Sequence, residues 1–154
     1  MTCEICSILT TKNNHTDEVV SETAYWRAVL DPDQRTLGKM FITLLEHKET
    51  ISALGDLEWH DLRILMQQLE RNVMAAFQPS HFNWQCLMNN AVIARQPTHV
   101  HWHLHPRYTK PIVFAGRTFT DTELYPPKER TSHVVPHDVL RQISRAITNK
   151  GIME

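Results

Sequence analysis

The stretch THVHWHLHPRY, residues 98–108, alternates histidine with apolar residues until it reaches Pro106. Its four histidines stand at positions 99, 101, 103 and 105. Because successive side chains of a β-strand point to opposite faces, the alternation predicts a strand with Val100, Trp102 and Leu104 on a buried face and all four imidazoles on the other. Same-face neighbours would lie roughly 6.5 to 7 Å apart, a spacing that suits a phosphate or a metal ion.

The crowding of these imidazoles predicts that the rings are mostly uncharged near neutral pH. Each protonated ring disfavours protonation of its neighbours, and an unperturbed histidine already titrates at about 6.5. A neutral imidazole keeps a nitrogen lone pair, which both a nucleophile and a metal ligand require.

Three interpretations of the histidine run compete. It is an accident of a half-exposed strand with loose metal affinity, a purely metal site, or a site for phosphorus chemistry with one histidine as nucleophile. A metal site of the His-x-His kind favours a nearby carboxylate, and none lies between Gln96 and Lys110. The residues alone leave these interpretations open.

The composition limits the classes of protein that remain. A chain of 154 residues, 42% hydrophobic and 21% charged, suits one compact domain. A net charge of -1 predicts no surface for nucleic acid or anionic membrane, and no apolar run approaches the roughly 20 residues that span a bilayer. Because the N-terminus lacks a basic start followed by an apolar run, a cytoplasmic protein is expected. Three cysteines are too few for a secreted disulfide scaffold and favour reduced thiols or metal ligands.

The periodicity along the chain predicts an α+β fold. The expected elements are a strand ending near Asp31, a turn at 31–38, a strand at 39–47, a helix at 57–77, a strand at 81–89, the histidine strand, and a closing helix opened by Pro136 and Asp138. The helix is predicted from apolar residues at spacings of three and four, from Leu62 to Phe77. Short links favour antiparallel pairing of the strands, with the helices on one side of the sheet.

The histidine run, followed by Pro106 and Arg107, resembles the His-φ-His-φ-His-φ-φ signature of the histidine triad (HIT) superfamily of nucleotide hydrolases and transferases, in which φ is an apolar residue. The segments CEIC, AVLDPDQRTLGKMFITLLEH and FNWQCLMNN follow the family's order, so the resemblance covers residues 2–108. It implies an antiparallel sheet of about five strands with helices packed on one side. Residues 1–154 are expected to form a single HIT-like domain with an irregular C-terminal extension from about residue 109.

The resemblance implies a covalent mechanism at the α-phosphate of a nucleotide. In the family the middle histidine attacks phosphorus and carries the nucleotidyl group before water or another acceptor takes it, and this position is His101. His103 would donate to the phosphate or assist the leaving group. Dinucleoside polyphosphates and nucleoside phosphoramidates are both substrate classes of the family. The resemblance also implies a homodimer formed through the helix and an edge of the sheet.

The resemblance to a zinc-containing subset of the family implies a structural zinc ion. Its four ligands would be Cys3, Cys6, His47 and His99, and two thiolates with two imidazoles form a closed tetrahedral shell. Two unconnected cysteines and a surface His47 are the alternative. A redox role for the Cys-x-x-Cys pair is disfavoured because that chemistry usually has a strand before the motif and a helix after it.

Four further residues are predicted to bind the substrate: Asp31, Asn89, Gln96 and Arg107. Asp31 would accept hydrogen bonds from the ribose hydroxyls, although a turn-forming aspartate before Pro32 is equally expected. Asn89 and Gln96 would approach the phosphate, and Arg107 would add positive charge unless it is a solvated surface arginine.

Two positions depart from the family's pattern. Many members have a glutamine where this chain has Arg95, one residue before Gln96, and the last φ position is a fourth histidine, His105. His105 is expected at the rim of the pocket or as an extra ligand. Two other functional classes stay open, namely a nucleotide-binding or sensing module with little turnover and a zinc-binding scaffold for protein partners.

Overall fold

A computed structural model describes residues 2–10, 18–124 and 132–150. Four α-helices are described: α1 Glu4–Thr10, α2 Asp56–Phe77, α3 Asn89–Ile93 and α4 His137–Lys150. Seven strands accompany them: β1 Val19–Glu22, β2 Trp26–Leu30, β3 Met40–Leu44, β4 His81–Gln85, β5 His101–Arg107, β6 Ile112–Phe114 and β7 Arg117–Phe119. The first five strands form one antiparallel sheet in the order β1-β2-β3-β5-β4. The predicted α+β class and the five-stranded sheet are confirmed.

One face of this sheet forms the core beneath the helices. Buried and half-buried residues alternate along β2 and β3, as a sheet with one covered face requires. The apolar side chains turned to the core on the three central strands include Trp26, Ala28, Leu30, Met40, Ile42, Leu44 and Leu104. The indole Nε1 of Trp26 donates to the carbonyl oxygen of Glu58 at 2.9 Å, which joins β2 to α2. The opposite face of these strands is left for the site.

Helix α2 agrees with the predicted helix at 57–77 to within one residue. Its buried stripe consists of Leu62, Leu65, Leu69, Val73 and Phe77. At its start the carboxylate of Glu58 accepts the backbone N–H of Gly55 at 2.6 Å, which satisfies one donor that the first turn leaves free. At its end Gln78 adopts a left-handed conformation (φ 52°), and its N–H donates to the carbonyl oxygen of Met74.

The predicted turn at 31–38 is a loop closed around the buried side chain of Gln34. Its Nε2 donates to the carbonyl oxygens of Asp31 and Lys39 at 2.6 and 2.8 Å, and its Oε1 accepts the N–H of Gly38 at 2.8 Å. Gly38 has a φ of +84°, which glycine adopts at little cost. The loop therefore holds Asp31 and Lys39 side by side at one end of the sheet.

The predicted strand at 81–89 is too long. Strand β4 ends at Gln85, which pairs with His103, and the chain then forms the short helix α3 from Asn89. The apolar alternation continues as far as Met88, so the pattern does not mark the end. Among the described residues, the pairing of β4 with β5 ends at Gln85 and His103.

The stretch after Tyr108, expected to be irregular, contains the hairpin β6–β7. Its turn uses positive φ angles at Ala115 and Gly116, and Phe114 packs at 5.1 Å between ring centroids against Phe77 of α2. Apolar contacts with the core thus order a segment that the family pattern does not cover. The predicted closing helix is confirmed as α4. In the part of the chain that the structure describes, no helix has the length and apolarity needed to cross a bilayer.

Candidate active site and metal centre

Three of the four histidines share the open face of β5, whereas the alternation predicts all four; the prediction is wrong for His99, which precedes the strand. The ring centroids of His101 and His103 lie 4.9 Å apart. Those of His103 and His105 lie 6.1 Å apart, with the rings nearly parallel at 22°. Leu104, between them in sequence, is fully buried on the other face. The pleat therefore presents a continuous row of imidazoles.

His99 precedes β5 and is turned away from this row. It is 1% exposed, and its Nε2 lies 2.8 Å from the carbonyl oxygen of Leu44. Because a carbonyl only accepts, Nε2 carries the proton and Nδ1 carries the lone pair. Burial lowers the pKa of His99, so the ring is neutral at pH 7. Its free lone pair at Nδ1 points to the two cysteines.

His101 is held in one tautomer by the backbone of His99. Its Nδ1 lies 2.8 Å from the carbonyl oxygen of His99 and must donate a proton there. The proton at Nδ1 leaves the lone pair on Nε2. His101 thus has the arrangement of a nitrogen nucleophile, with one ring nitrogen anchored and the other able to attack.

The other two rings of the row are kept neutral by their surroundings. Burial lowers the pKa of His103, and the neighbouring His101 lowers it further. Burial, followed by the positive charge of Lys39, lowers the pKa of His105 to about 4. Within the described residues, Nε2 of His103 and Nδ1 of His105 are buried without a hydrogen-bond partner. Buried polar atoms of this kind are uncommon and call for an explanation.

Strand β3 adds two residues to this face that the sequence analysis did not single out. Phe41 pairs with His103 across the sheet, and its ring lies edge-on to that of His103 at 4.9 Å between centroids. Lys39, two residues earlier, has its Nζ 5.9 Å from the centre of the Phe41 ring. The alternation in KMFITLL marks both residues as same-face neighbours. Only the pairing of β3 with β5 shows that their face is the histidine face.

Asp31 lies at the end of this face, next to Lys39. One carboxylate oxygen is 2.5 Å from the Nζ of Lys39, and the other accepts the N–H of Asp33 at 2.8 Å. The second bond is the aspartate turn that the sequence allowed. Each carboxylate oxygen still has a lone pair to offer, so ribose binding by Asp31 stays a prediction.

The three remaining predicted substrate residues lie in different surroundings. Asn89 is exposed at the first position of α3, and the N–H of Gln96 donates to the carbonyl oxygen of Ala91 where that helix ends. Arg107 is buried, and its Nε and Nη2 donate to the two carboxylate oxygens of Asp121 at 2.7 and 2.8 Å. The alternative of a solvated surface arginine is wrong, and this pairing does not support a charge offered to substrate.

The four predicted metal ligands come together from three segments. One donor atom from each of Cys3, Cys6, His47 and His99 lies within 4.8 Å of the other three. Four of the pairs are separated by 3.3 to 3.5 Å. Bonds of about 2.0 to 2.3 Å to a tetrahedral zinc ion place its ligands at about such separations. The donor set fits a structural metal site. His47 is exposed at the surface, as the alternative expects, but the two cysteines are not unconnected, because both lie beside His99 and Cys6 also lies beside His47.

The sequence matches no family model and no curated protein, whereas solved structures resemble the fold. A Hit-like protein involved in cell-cycle regulation from Bartonella henselae is 13% identical, with a TM-score of 0.66 over 95% of this chain and 93% of that one. A zinc-bound histidine triad family protein from Mycobacterium smegmatis is 16% identical, with a TM-score of 0.60 over 97% and 95% of the chains. The diadenosine triphosphate hydrolase of Plasmodium falciparum, in complex with Cyclomarin A, is 18% identical, with a TM-score of 0.59 over 87% and 76%.

At these identities the likeness concerns the fold, and it agrees with the motif that the sequence carries in β5. The five-stranded sheet, the long helix α2 and the histidine row occur together in this chain. This protein therefore has the fold of solved structures named as histidine triad proteins, in agreement with the resemblance predicted from residues 99–107.

Proposed function

We propose that this protein is a nucleotide hydrolase or nucleotidyl transferase that acts at the α-phosphate of its substrate through a covalent intermediate on His101. The observation that carries the proposal is the 2.8 Å contact between Nδ1 of His101 and the carbonyl oxygen of His99. It keeps the proton at Nδ1, so that Nε2 of the neutral ring carries the attacking lone pair without a deprotonation step.

In this mechanism Nε2 of His101 forms a bond to the α-phosphorus while the bond from phosphorus to the leaving group breaks. The leaving group departs with the electron pair: a nucleotide leaves as its phosphate anion, and an amine takes its proton from water. The neutral His103 is placed to donate a hydrogen bond to the phosphate. Water then attacks the nucleotidyl-histidine, and release of the nucleoside monophosphate regenerates neutral His101. Two displacements in one phosphate pocket replace a single direct attack by water.

Two substrate classes fit this chemistry, namely dinucleoside polyphosphates and nucleoside phosphoramidates. The leaving group is a nucleotide in the first class and an amine in the second. A structural neighbour named as a diadenosine triphosphate hydrolase supports the first class.

The proposal is tested by measuring turnover with and without the side chain of His101. The protein is incubated with diadenosine tetraphosphate and with a fluorogenic adenosine phosphoramidate, and AMP release is measured for the wild type, His101→Ala and the control His81→Ala. His81 is exposed at the start of β4. Release by the wild type and the control but not by His101→Ala supports the proposal. Tight nucleotide binding with no AMP release from the wild type contradicts it and indicates a sensing module.

A structural zinc ion is part of the proposed function. Cys3, Cys6, His47 and His99 would hold it, and the bonded ion supplies a cross-link between α1 and the start of β5. The hydrogen bond from His99 to Leu44 orients that ligand, as a second shell around a metal commonly does. Elemental analysis after extensive dialysis checks the site: about one zinc per chain is expected, and less than half an equivalent would contradict a closed four-ligand site.

We propose further that two copies of the chain pair through α2 and the edge strand β4. Strand β4 ends the sheet, so its outer backbone groups lack a strand partner among the described residues. Beside it, Trp59 and Trp102 line a groove of about 280 Å³ between α2 and β5, and Leu57 is 68% exposed. Sedimentation of the wild type and Trp59→Glu tests the pairing, with a dimer expected only for the wild type. A wild-type monomer at micromolar concentration contradicts it.

A further inference from the structure

The two histidines of the Cys/His cluster lie on segments that are joined at Lys48. This cluster takes its four donor atoms from Cys3, Cys6, His47 and His99. The first of the histidines follows β3, and the second precedes β5. The carbonyl oxygen of Lys48, the residue after His47, accepts the backbone N–H of Val100, the residue after His99, at 2.8 Å. A backbone hydrogen bond therefore couples the position of one predicted ligand to that of the other.

The side chain of Lys48 is fixed by a carboxylate of helix α2. Its Nζ lies 2.6 Å from both carboxylate oxygens of Glu58, whose side chain is only 5% exposed. The carboxylate is itself held in place, because one of its oxygens also accepts the backbone N–H of Gly55 at 2.6 Å. The carbonyl oxygen of Glu58 accepts the indole N–H of the buried Trp26. Charge-assisted bonds therefore attach Lys48 to a well-anchored point of the core.

The outer side of the Cys/His cluster has little packing to fix its geometry. Helix α1, on which Cys6 lies, has no buried residue, and the side chain of His47 is 36% exposed. A structural zinc ion requires four donors in a tetrahedral arrangement, and the Nδ1 atoms of His47 and His99 already lie 3.3 Å apart. This separation must be held from the core side, where Lys48 and Glu58 connect the two segments to α2.

We infer that Glu58 is a positioning residue for the metal centre, which acts through Lys48 to hold His47 and His99 at the separation that a tetrahedral ion requires. The inference rests on the zinc site of the proposed function, and it assigns a role to a residue outside the four donors. Residues that orient metal ligands in this way govern the affinity for the metal. If Glu58 only caps α2, its loss lowers the stability of the fold and leaves the zinc affinity unchanged.

The experiment measures the dissociation constant of zinc for the full chain by competition with a chromogenic chelator. It also records the absorption spectrum of the Co²⁺-loaded protein, whose d–d bands report tetrahedral coordination. Glu58→Gln keeps the size of the side chain and removes the charge that Lys48 bonds. Glu46→Gln is the charge control, because Glu46 is 72% exposed and lies 3.7 Å from the Nζ of the same lysine. Val73→Ala is the stability control, because Val73 is buried near the other end of α2.

Glu58→Gln is expected to weaken zinc binding about 10- to 100-fold and to reduce the tetrahedral Co²⁺ bands, whereas both controls bind the metal as the wild type does. Val73→Ala should lower the melting temperature without this loss. If Glu58→Gln does not fold, the double variant Lys48→Met/Glu58→Gln, which leaves no buried charge, takes its place with the same expected loss. Wild-type zinc affinity in the Glu58 variant, or an equal loss in either control, overturns the inference. If the wild type binds neither zinc nor Co²⁺, the proposed metal site itself fails, and the role of Glu58 fails with it.

Discussion

The two ends of the histidine run have different chemistry although their sequence pattern is the same. At the front, His99 turns its Nδ1 to two thiols and a second imidazole. At the back, His103 and His105 form a neutral, parallel pair beside Phe41 and Lys39. His101 stands between them, anchored to His99 through the backbone. The comparison teaches that one alternating run can send its first histidine to a Cys/His cluster and its other three to the open face of the sheet, because the strand begins only at His101.

Removing the ring between the two ends should have the largest effect. His101→Ala eliminates the proposed nucleophile, so AMP release is expected to fall on the order of 10⁶-fold, as when a covalent nucleophile is deleted elsewhere. The same variant should keep its zinc content and its melting temperature, because His101 is not among the four clustered donors. If His101→Ala loses zinc as well as activity, the metal-binding cluster and the proposed catalytic residue cannot be tested independently, which contradicts this division of the histidine run.

Disrupting the Cys/His cluster at the His99 end of the run should lower the stability of the protein more than its catalytic rate. Cys6→Ser removes one thiolate from the cluster, and zinc content is expected to fall well below one equivalent. The free energy of unfolding should fall by about 4 kcal/mol, the stabilisation from a ligand at about 1,000 times its dissociation constant. Denaturant titration with and without a chelator measures it, and Ser7→Ala, on the same helix, is the control. An unchanged response to the chelator would contradict a metal at this end.

The buried ion pair of Arg107 and Asp121 connects the segment after β7 to the end of β5. Arg107→Met leaves the carboxylate of Asp121 buried without its main partner, and stability should fall by about 3 kcal/mol. Asp121→Asn alone should cost a similar amount, whereas the double variant should cost clearly less than the sum of both. Urea unfolding of all three gives the coupling, and strictly additive losses would show that the pair is not a unit.

The neutral back end makes the fold sensitive to acid. The pKa of His105 is lowered to about 4, whereas an unfolded histidine titrates near 6.5, so the unfolded chain binds more protons between these values. Stability therefore falls as the pH drops from about 6.5 to 4, and His105 contributes about 2 to 3 kcal/mol of that fall. His105→Phe should flatten the pH dependence of unfolding in this window. An identical slope in wild type and variant would contradict a buried neutral ring.

The smallest effect is expected in the loop that carries Asp31 and Lys39. Gly38→Ala imposes a side chain on a φ of +84°, which should cost about 1 kcal/mol. An added Cβ meets only ordinary contacts at 3.5 Å with Phe77, Pro106 and Val73, so strain in the backbone is the main cost. Thermal unfolding measures it, and Gly116→Ala, with a φ of +70° and open space around it, gives the backbone cost alone.

Much of the fold could be read from periodicity. The spacing of Leu62 to Phe77 identified α2, and the alternation of histidine with apolar residues identified β5 and its faces. The end of β4 could not be predicted in this way, because the apolar alternation continues to Met88. Among the described residues, the pairing with β5 stops at Gln85. The hairpin β6–β7 was not predicted either, because strands of three residues are too short to show a periodic pattern.

The sequence by itself determined which residue types could do chemistry here, because an alternating run on a pleated strand must place its histidines on one side. It also contained the cysteine pair that a metal would need. The resemblance implied that His99 joins Cys3, Cys6 and His47, and the tertiary structure brings them together. Only the tertiary structure decided that Phe41 and Lys39 face the row and that Arg107 is bound to Asp121. These contacts join residues far apart in the chain, and no local pattern encodes them, because strand pairing and packing bring the segments together.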